Sequence, residues 1–280
     1  IINKYKLRKK FYRLKDGTYI SLEKNSSLDF LENLTDNIEI EDENVEENSI
    51  KLPIYRALYL EKIFKNMPNT NIQKNEYYKN MISQIEDRQI DLSTKIPPKL
   101  NAELRTYQKI GYKWLRTLEQ YKMGGILADD MGLGKTIQLL AVILSYVQKN
   151  KENVKPSIII CPSSLALNWY NEIQKFTPTL KALVISDDYL ERKRKIEEIG
   201  KYQVIITYDS LKRDIDLYEN YCFKYVVADE AQYIKNNNTK NSKAIKTINA
   251  ETKFALTGTP IENSLSELWS IFDFIMPGYL

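Results

Sequence analysis

The chain has 280 residues, 43% of them hydrophobic and 28% charged, with a net charge of +4, which fits a soluble globular protein and is too weak a balance to establish nucleic-acid binding alone. Histidine is absent and there are two cysteines, Cys161 and Cys222. That excludes His-based triads, His-ligated metals and His general bases, and it argues against a disulfide scaffold or a zinc cluster.

No apolar run is long enough to span a bilayer and the start at Ile1 has no signal-peptide pattern, so a cytosolic protein with no membrane partner is expected. The lack of an initial Met reads as a piece cut from a longer chain.

Residues 11–14 and 18–22 flank Asp16-Gly17, a hairpin turn signal. The run 32–48 is rich in Glu, Asp and Asn and reads as an exposed loop or a solvated helix face. Residues 53–64 and 76–90 carry apolar positions at helical spacing. Ile96-Pro97-Pro98 is a stiff connector, after which the pattern changes. Strands are predicted at 125–128, 157–161, 182–185, 204–207, 225–228 and 254–256. Helices are predicted at 107–119, 136–149, 165–176, 188–199, 239–248 and 265–274. The expected class is α/β, a parallel sheet flanked by helices (96–280), preceded by a smaller α+β domain (1–95). Ligands of such sheets sit beyond the carboxyl ends of the strands.

Strand 125–128 runs into Asp129-Asp130-Met131-Gly132-Leu133-Gly134-Lys135-Thr136, and a helix follows. Gly132 and Gly134 allow a tight turn whose N–H groups face phosphate oxygens, and the helix adds its positive end. Lys135 supplies a mobile cation for the β- and γ-phosphates, and the Thr136 hydroxyl is a hard oxygen ligand for Mg2+. Asp129 stands where the general phosphate loop has Gly. Strand 225–228 ends in Asp229-Glu230-Ala231-Gln232. Adjacent carboxylates leaving a buried strand are costly unless something binds them. Asp229 can hold Mg2+, directly or through water, and Glu230 can orient or deprotonate an attacking water. Taken alone, such a pair also suits a helix N-cap.

Gln108 has the donor and acceptor that suit an adenine edge, or it is a surface amide. Ser163 and Ser164 after Cys161-Pro162 suit a nucleic-acid phosphate and suit N-capping equally, and Thr207-Tyr208-Asp209-Ser210 has the same two readings. Trp169 reads as a helix-to-sheet packing residue. Thr257-Gly258-Thr259-Pro260 can sense both the γ-phosphate side and the strand-binding side, or form a simple turn. Arg192-Lys193-Arg194-Lys195 reads as a solvated helix face.

The motifs Leu104-Arg105-x-Tyr107-Gln108, 126–136, Cys161-Pro162, Asp229-Glu230-Ala231-Gln232 and Leu256-Thr257-Gly258-Thr259-Pro260 occur in the order typical of one family. The chain resembles the SWI/SNF-like helicase-related DNA translocases of bacterial type. The match covers the first RecA-like, phosphate-loop lobe; Asp129 is then a family trait. Residues 1–95 resemble the domain that precedes this lobe.

The resemblance implies ATP and Mg2+ as cofactors. Lys135, Asp229 and Glu230 are the implied catalytic residues, and Thr136 and Asp229 the metal ligands. Arg105, Gln108, Asp130, Met131, Gly132, Leu133, Gly134, Lys135, Thr136 and Gln232 would surround the nucleotide. Pro162, Ser163, Ser164, Thr207, Tyr208, Thr257 and Gly258 would face DNA. Gln232 replaces the family's usual His. Implied partners are double-stranded DNA and DNA-bound proteins such as RNA polymerase, with the protein a monomer in the cytoplasm at the nucleoid. The family's second lobe, which carries arginine fingers, lies outside residues 1–280, so these residues alone are expected to bind ATP weakly and hydrolyse it poorly. An RNA-directed helicase lobe and a non-catalytic nucleic-acid-binding scaffold are the competing readings.

Overall fold

The structure, a computed structural model, describes residues 11–13, 17–21, 45–46, 49–65, 72–86, 94–151, 153–261 and 264–279. The chain forms two compact units, Ile1–Ile82 and Ser83–Leu280.

In the first unit, strand β1 (Phe11–Arg13) pairs antiparallel with β2 (Tyr19–Ser21), as the turn signal predicts. The turn residues 14–16 lie outside the described residues. Strand β3 (Val45–Glu46) pairs with β4 (Ser49–Ile50), so the acidic run ends in a short strand where a loop or helix face is predicted. Its residues 32–44 and 47–48 lie outside the described residues.

Helix α1 (Arg56–Lys65) starts from a turn in which the Pro53 carbonyl accepts the Arg56 N–H at 2.9 Å. Helix α2 (Glu76–Glu86) is capped by the Asn75 side chain, which accepts the Tyr78 N–H at 2.8 Å. The Tyr78 hydroxyl donates to the Ala57 carbonyl at 3.0 Å and ties the two helices together. The predicted extension of α2 through 87–90 lies outside the described residues.

The second unit is built on one six-stranded sheet. Its strands are β5 (Gly125–Leu127), β6 (Ser157–Cys161), β7 (Ala182–Ile185), β8 (Gln203–Thr207), β9 (Cys222–Ala228) and β10 (Asn249–Leu256). The order is β5-β10-β9-β6-β8-β7 and every adjacent pair is parallel. Helices α3 (Thr106–Gln120), α4 (Lys135–Lys149), α5 (Ala166–Phe176), α6 (Tyr189–Glu197), α7 (Tyr208–Asp214), α8 (Lys240–Thr247) and α9 (Leu265–Ile275) connect and cover it.

Parallel strands buried on both faces read as continuous apolar runs, and β6 and β8 are buried at every position. In α4, residues 139–144 are all 0% exposed, so this helix is enclosed and not merely laid on the sheet. Burying each Leu, Ile or Val side chain among them contributes about 1.5–3 kcal/mol. Among the described residues no helix is long and apolar enough to cross a membrane.

Register sets the functional edge. Leu256 lies opposite Leu127, Ala255 opposite Ala228, Ala228 opposite Ile160 and Cys161 opposite Thr207. The carboxyl ends of five strands therefore lie in one row. The glycine turn, Cys161-Pro162, Thr207-Tyr208, the acid pair and Thr257-Gly258 each begin within a residue or two of that row.

Three expectations need correction. β9 starts at Cys222 and β10 at Asn249, well before the predicted 225 and 254. Their first halves carry Lys224 and Glu251, which hide the strand from a search for apolar runs. Lys224 is satisfied there by Glu251 at 2.9 Å and Glu119 at 3.2 Å.

Helix α7 was not among the predicted helices because it is a single short stretch, continued by a 3-10 turn at Ile215–Tyr218. The Thr207 hydroxyl caps it by accepting the Ser210 N–H at 3.1 Å.

The basic run 192–195 is not wholly solvated. Arg192 is 6% exposed and forms a bidentate pair with Asp214, itself 3% exposed, with Nη2 to Oδ1 at 2.9 Å and Nε to Oδ2 at 2.5 Å.

Candidate functional site

β5 delivers the glycine turn to the carboxyl edge of the sheet. Gly132 and Gly134 both adopt positive φ, 82° and 78°, where L side chains are strained. Gly134 also has no room, since a Cβ there would lie 2.6 Å from Gln108 Nε2. The Lys135 ammonium donates to the carbonyls of Asp129 (2.7 Å) and Asp130 (3.2 Å). Thr136 is half-buried in the first turn of α4, while Asp130, Met131, Gly132 and Leu133 are exposed.

The loop is braced from two sides. Gln108 is buried on α3; its Nε2 donates to the Leu133 carbonyl at 3.0 Å and its Oε1 accepts the Arg105 N–H at 2.9 Å. The Tyr107 hydroxyl reaches the same Leu133 carbonyl at 3.0 Å. From α4, Gln138 Nε2 donates to Asp129 Oδ2 at 2.8 Å. An acid at position 129 thus ties the loop to the helix that follows it.

β9 delivers the acid pair. The Asp229 N–H donates to the Ile160 carbonyl at 2.8 Å, and its own carbonyl accepts from the Tyr208 hydroxyl at 2.8 Å. Its carboxylate accepts from Trp169 Nε1 at 2.7 Å and from the Glu230 N–H at 2.9 Å. Glu230 sits at φ 50°, a left-handed conformation rare for a side chain of its size. Its Oε2 accepts from Gln232 Nε2 at 2.8 Å, and Gln232 Oε1 meets the Thr257 hydroxyl at a long 3.5 Å. Thr257 is fully buried and its N–H donates to the Leu127 carbonyl at 3.2 Å. Gly258 lies beside Met131, whose Cγ would be 3.5 Å from a Cβ placed on that glycine.

Burial raises the pKa of Asp229; the neighbouring Glu230 charge adds to that, while Trp169, the Glu230 amide and the Lys135 ammonium act against it. The glycine turn and the acid pair leave the same edge of the sheet, since β5 and β9 flank β10 with Leu127 opposite Leu256 and Ala228 opposite Ala255. Burial also pushes Tyr208 well above the usual phenol value, so its hydroxyl remains a donor, and it pushes the Cys161 thiol up to about 12, too high for thiolate chemistry.

Thr136 and Asp229 offer hard oxygens, which suit Mg2+, and a buried carboxylate with a raised pKa is relieved by an adjacent cation. Among the described residues there is no cluster of three or more acids or cysteines able to hold a metal alone. A cation here would take most of its oxygens from phosphate and water.

The residues expected to face DNA divide. Ser163 and Ser164 are exposed on a 3-10 turn, Ser163–Leu165, at the start of α5, with Pro162 half-buried before it. Thr207 (7% exposed) and Tyr208 (3%) are buried, and their hydroxyls cap α7 and hold Asp229. Thr257 is buried at the Gln232 contact, and Gly258 is partly exposed.

Sequence reasoning missed three supports. Trp169 packs as predicted, at 2% exposure, but also donates to Asp229. Gln138 and Tyr107 brace the loop, and their side chains carry no local signal of it. Trp169 follows β6, and the pairing of β6 with β9, the strand that leads into Asp229, brings its indole to the acid.

Residues 107–280 match the family model described as SNF2-related domain, and residues 1–97 match the one described as Bacterial SNF2 helicase associated. An uncharacterized ATP-dependent helicase of Mycoplasma pneumoniae is 43% identical over 236 residues, covering 83% of this chain and 22% of that protein. The TATA-binding protein-associated factor MOT1 of Saccharomyces cerevisiae is 38% identical over 227 residues, covering 77% of this chain and 12% of that one. The solved Sulfolobus solfataricus SWI2/SNF2 ATPase core in complex with dsDNA is 43% identical, with a TM-score of 0.59, over 65% of this chain and 37% of that chain. This chain therefore spans about a fifth of the Mycoplasma relative.

Proposed function

The chain belongs to the SNF2-related family, and from that premise we propose that it supplies the ATP-binding lobe of a DNA-dependent ATPase, which moves on double-stranded DNA and remodels protein–DNA complexes. One observation carries the proposal: Leu256 lies opposite Leu127 and Ala255 opposite Ala228, so the glycine turn and the acid pair leave the same edge of the sheet, on either side of β10, where they can address one triphosphate. The dsDNA in the Sulfolobus structure supports duplex DNA as the track. The proposed domain limits remain 1–95 and 96–280, supported by the matches to residues 1–97 and 107–280.

The glycine turn and Lys135 bind the β- and γ-phosphates. Arg105, Gln108 and the exposed 130–133 turn shape the nucleotide edge, with Gln108 acting through its hold on the Leu133 carbonyl. Thr136 and Asp229 would hold magnesium, which would supply charge neutralisation at the phosphate oxygens. Glu230 orients the attacking water and accepts its proton. Gln232 links Glu230 to Thr257. Pro162, Ser163, Ser164 and Gly258 meet the DNA backbone, with Thr207, Tyr208 and Thr257 acting from beneath that surface. Positioning and charge supply most of the rate in phosphoryl transfer.

The whole protein is proposed to act as a cytoplasmic monomer at the nucleoid. The yeast relative is named for its association with a TATA-binding protein, which supports a DNA-bound protein as the object moved. Residues 1–280 alone are proposed to hydrolyse ATP slowly, because in this family arginines from a second lobe complete the site. The test is phosphate release by the full-length protein with duplex DNA, with RNA and without nucleic acid. Duplex-stimulated release that Glu230→Gln abolishes is expected; stimulation by RNA alone, or none at all, would overturn the reading.

A further inference from the structure

Asp229 is held differently at its backbone and at its side chain. Its N–H is fixed by the Ile160 carbonyl at 2.8 Å, inside the sheet. Its carboxylate is aimed by the Trp169 indole at 2.7 Å, and Trp169 belongs to a different element. That element is α5, whose entry is the exposed turn Ser163–Leu165. The turn and the indole are separated by about one helical turn of rigid backbone. A second exposed edge residue, Asp209, follows Tyr208, whose hydroxyl holds the Asp229 carbonyl at 2.8 Å and whose ring stacks on Tyr233 at 5.2 Å. Two strand-to-helix turns on the proposed DNA side thus each place a hydrogen-bond donor on the same acid.

We propose that Trp169 is a positioning residue that couples the β6–α5 turn to the Asp229 carboxylate, so that duplex DNA gripping Ser163 and Ser164 re-aims the acid toward the magnesium nucleotide, with Tyr208 serving as a parallel link. This rests on the functional reading above. A phosphate drawn onto the turn shifts the start of α5, and a packed helix transmits the shift to the indole instead of absorbing it. Such coupling is reciprocal: nucleotide tightens DNA by the factor by which DNA tightens nucleotide.

The test measures the duplex-DNA Kd of the full-length protein by fluorescence anisotropy, with and without a non-hydrolysable magnesium–ATP analogue, and takes the ratio as the coupling factor. Trp169→Phe keeps a buried ring and removes the indole N–H. The coupling factor is expected to fall about tenfold, with DNA and analogue each binding alone within about threefold of the parent. A purely structural indole would instead lower thermal stability or both binary affinities and leave the ratio unchanged, and that result overturns the proposal. Should Trp169→Phe fail to fold, Tyr208→Phe, which removes one hydroxyl and retains the ring stack, decides by the same ratio: a fall supports coupling and an unchanged ratio overturns it. Absence of duplex-stimulated phosphate release in the parent protein overturns the functional reading itself, which is a different outcome.

Discussion

Gly134→Ala puts the architecture of the phosphate turn to a quantitative test. The residue sits at φ +78°, where an L side chain costs about 1–2 kcal/mol. The added methyl would lie 2.6 Å from Gln108 Nε2 and 3.2 Å from Ile137 Cγ2. The first distance is too short to hold, so the Gln108 amide must swing away. That breaks its bonds to the Leu133 carbonyl and the Arg105 N–H, each worth about 1 kcal/mol. The combined loss is about 3–4 kcal/mol.

Gly132→Ala is the internal control. Its φ is +82° but its surroundings are open, so the loss is about 1–2 kcal/mol. Urea unfolding measures both, and nucleotide titration reports whether the loop still closes on phosphate. Adding Gln108→Ala to Gly134→Ala removes the collision, and the two lost hydrogen bonds are then counted once, so the double variant should lose about 2 kcal/mol less than the sum of the singles. Equal losses at the two glycines, or strict additivity in the double variant, would refute the steric argument.

Lys135→Ala in the full-length protein is expected to abolish phosphate release while retaining the fold, as read by the far-UV spectrum; retained turnover would favour a scaffold over a motor. Asp214→Ala strands the buried Arg192 guanidinium and should cost about 3–5 kcal/mol by urea unfolding, far more than loss of a surface pair. Burial holds Lys253 down to about 8, against 10.5 for a free lysine. Between those values the unfolded chain binds more protons than the folded one, so stability rises with pH across that window. Lys253→Met should be more stable at pH 7 and should flatten that rise, as read from urea midpoints in a pH series; an unaltered slope would contradict it.

The central strands and most helices were legible because a parallel sheet writes itself as short apolar runs between amphipathic stretches, and β6 and β7 fall where predicted. The carboxyl-edge motifs were legible for a related reason: glycines, a Lys-Thr pair and adjacent acids are expensive at strand ends unless they bind something. What stayed hidden depends on partners distant in sequence. The polar first halves of β9 and β10 become strands because Lys224 finds Glu251 and Glu119. Arg192 reads as solvated until Asp214 is brought beside it. Trp169 looks like packing until register carries Asp229 under its indole.

The strand order also dictates a timetable for assembly. β5 and β6 follow one another along the chain, yet β10 and β9 stand between them in the sheet. Gly125 finds its partner Phe254 only 129 residues later in synthesis (254 − 125). The strand bearing the phosphate turn therefore waits, without a neighbour in the sheet, until nearly the whole lobe has left the ribosome. Long-range parallel pairing of this kind is slow to form and exposes apolar edges meanwhile. A nascent chain of this lobe should thus gain its grip on nucleotide late and all at once, and truncation just before β10 should leave a product that aggregates instead of a smaller working domain.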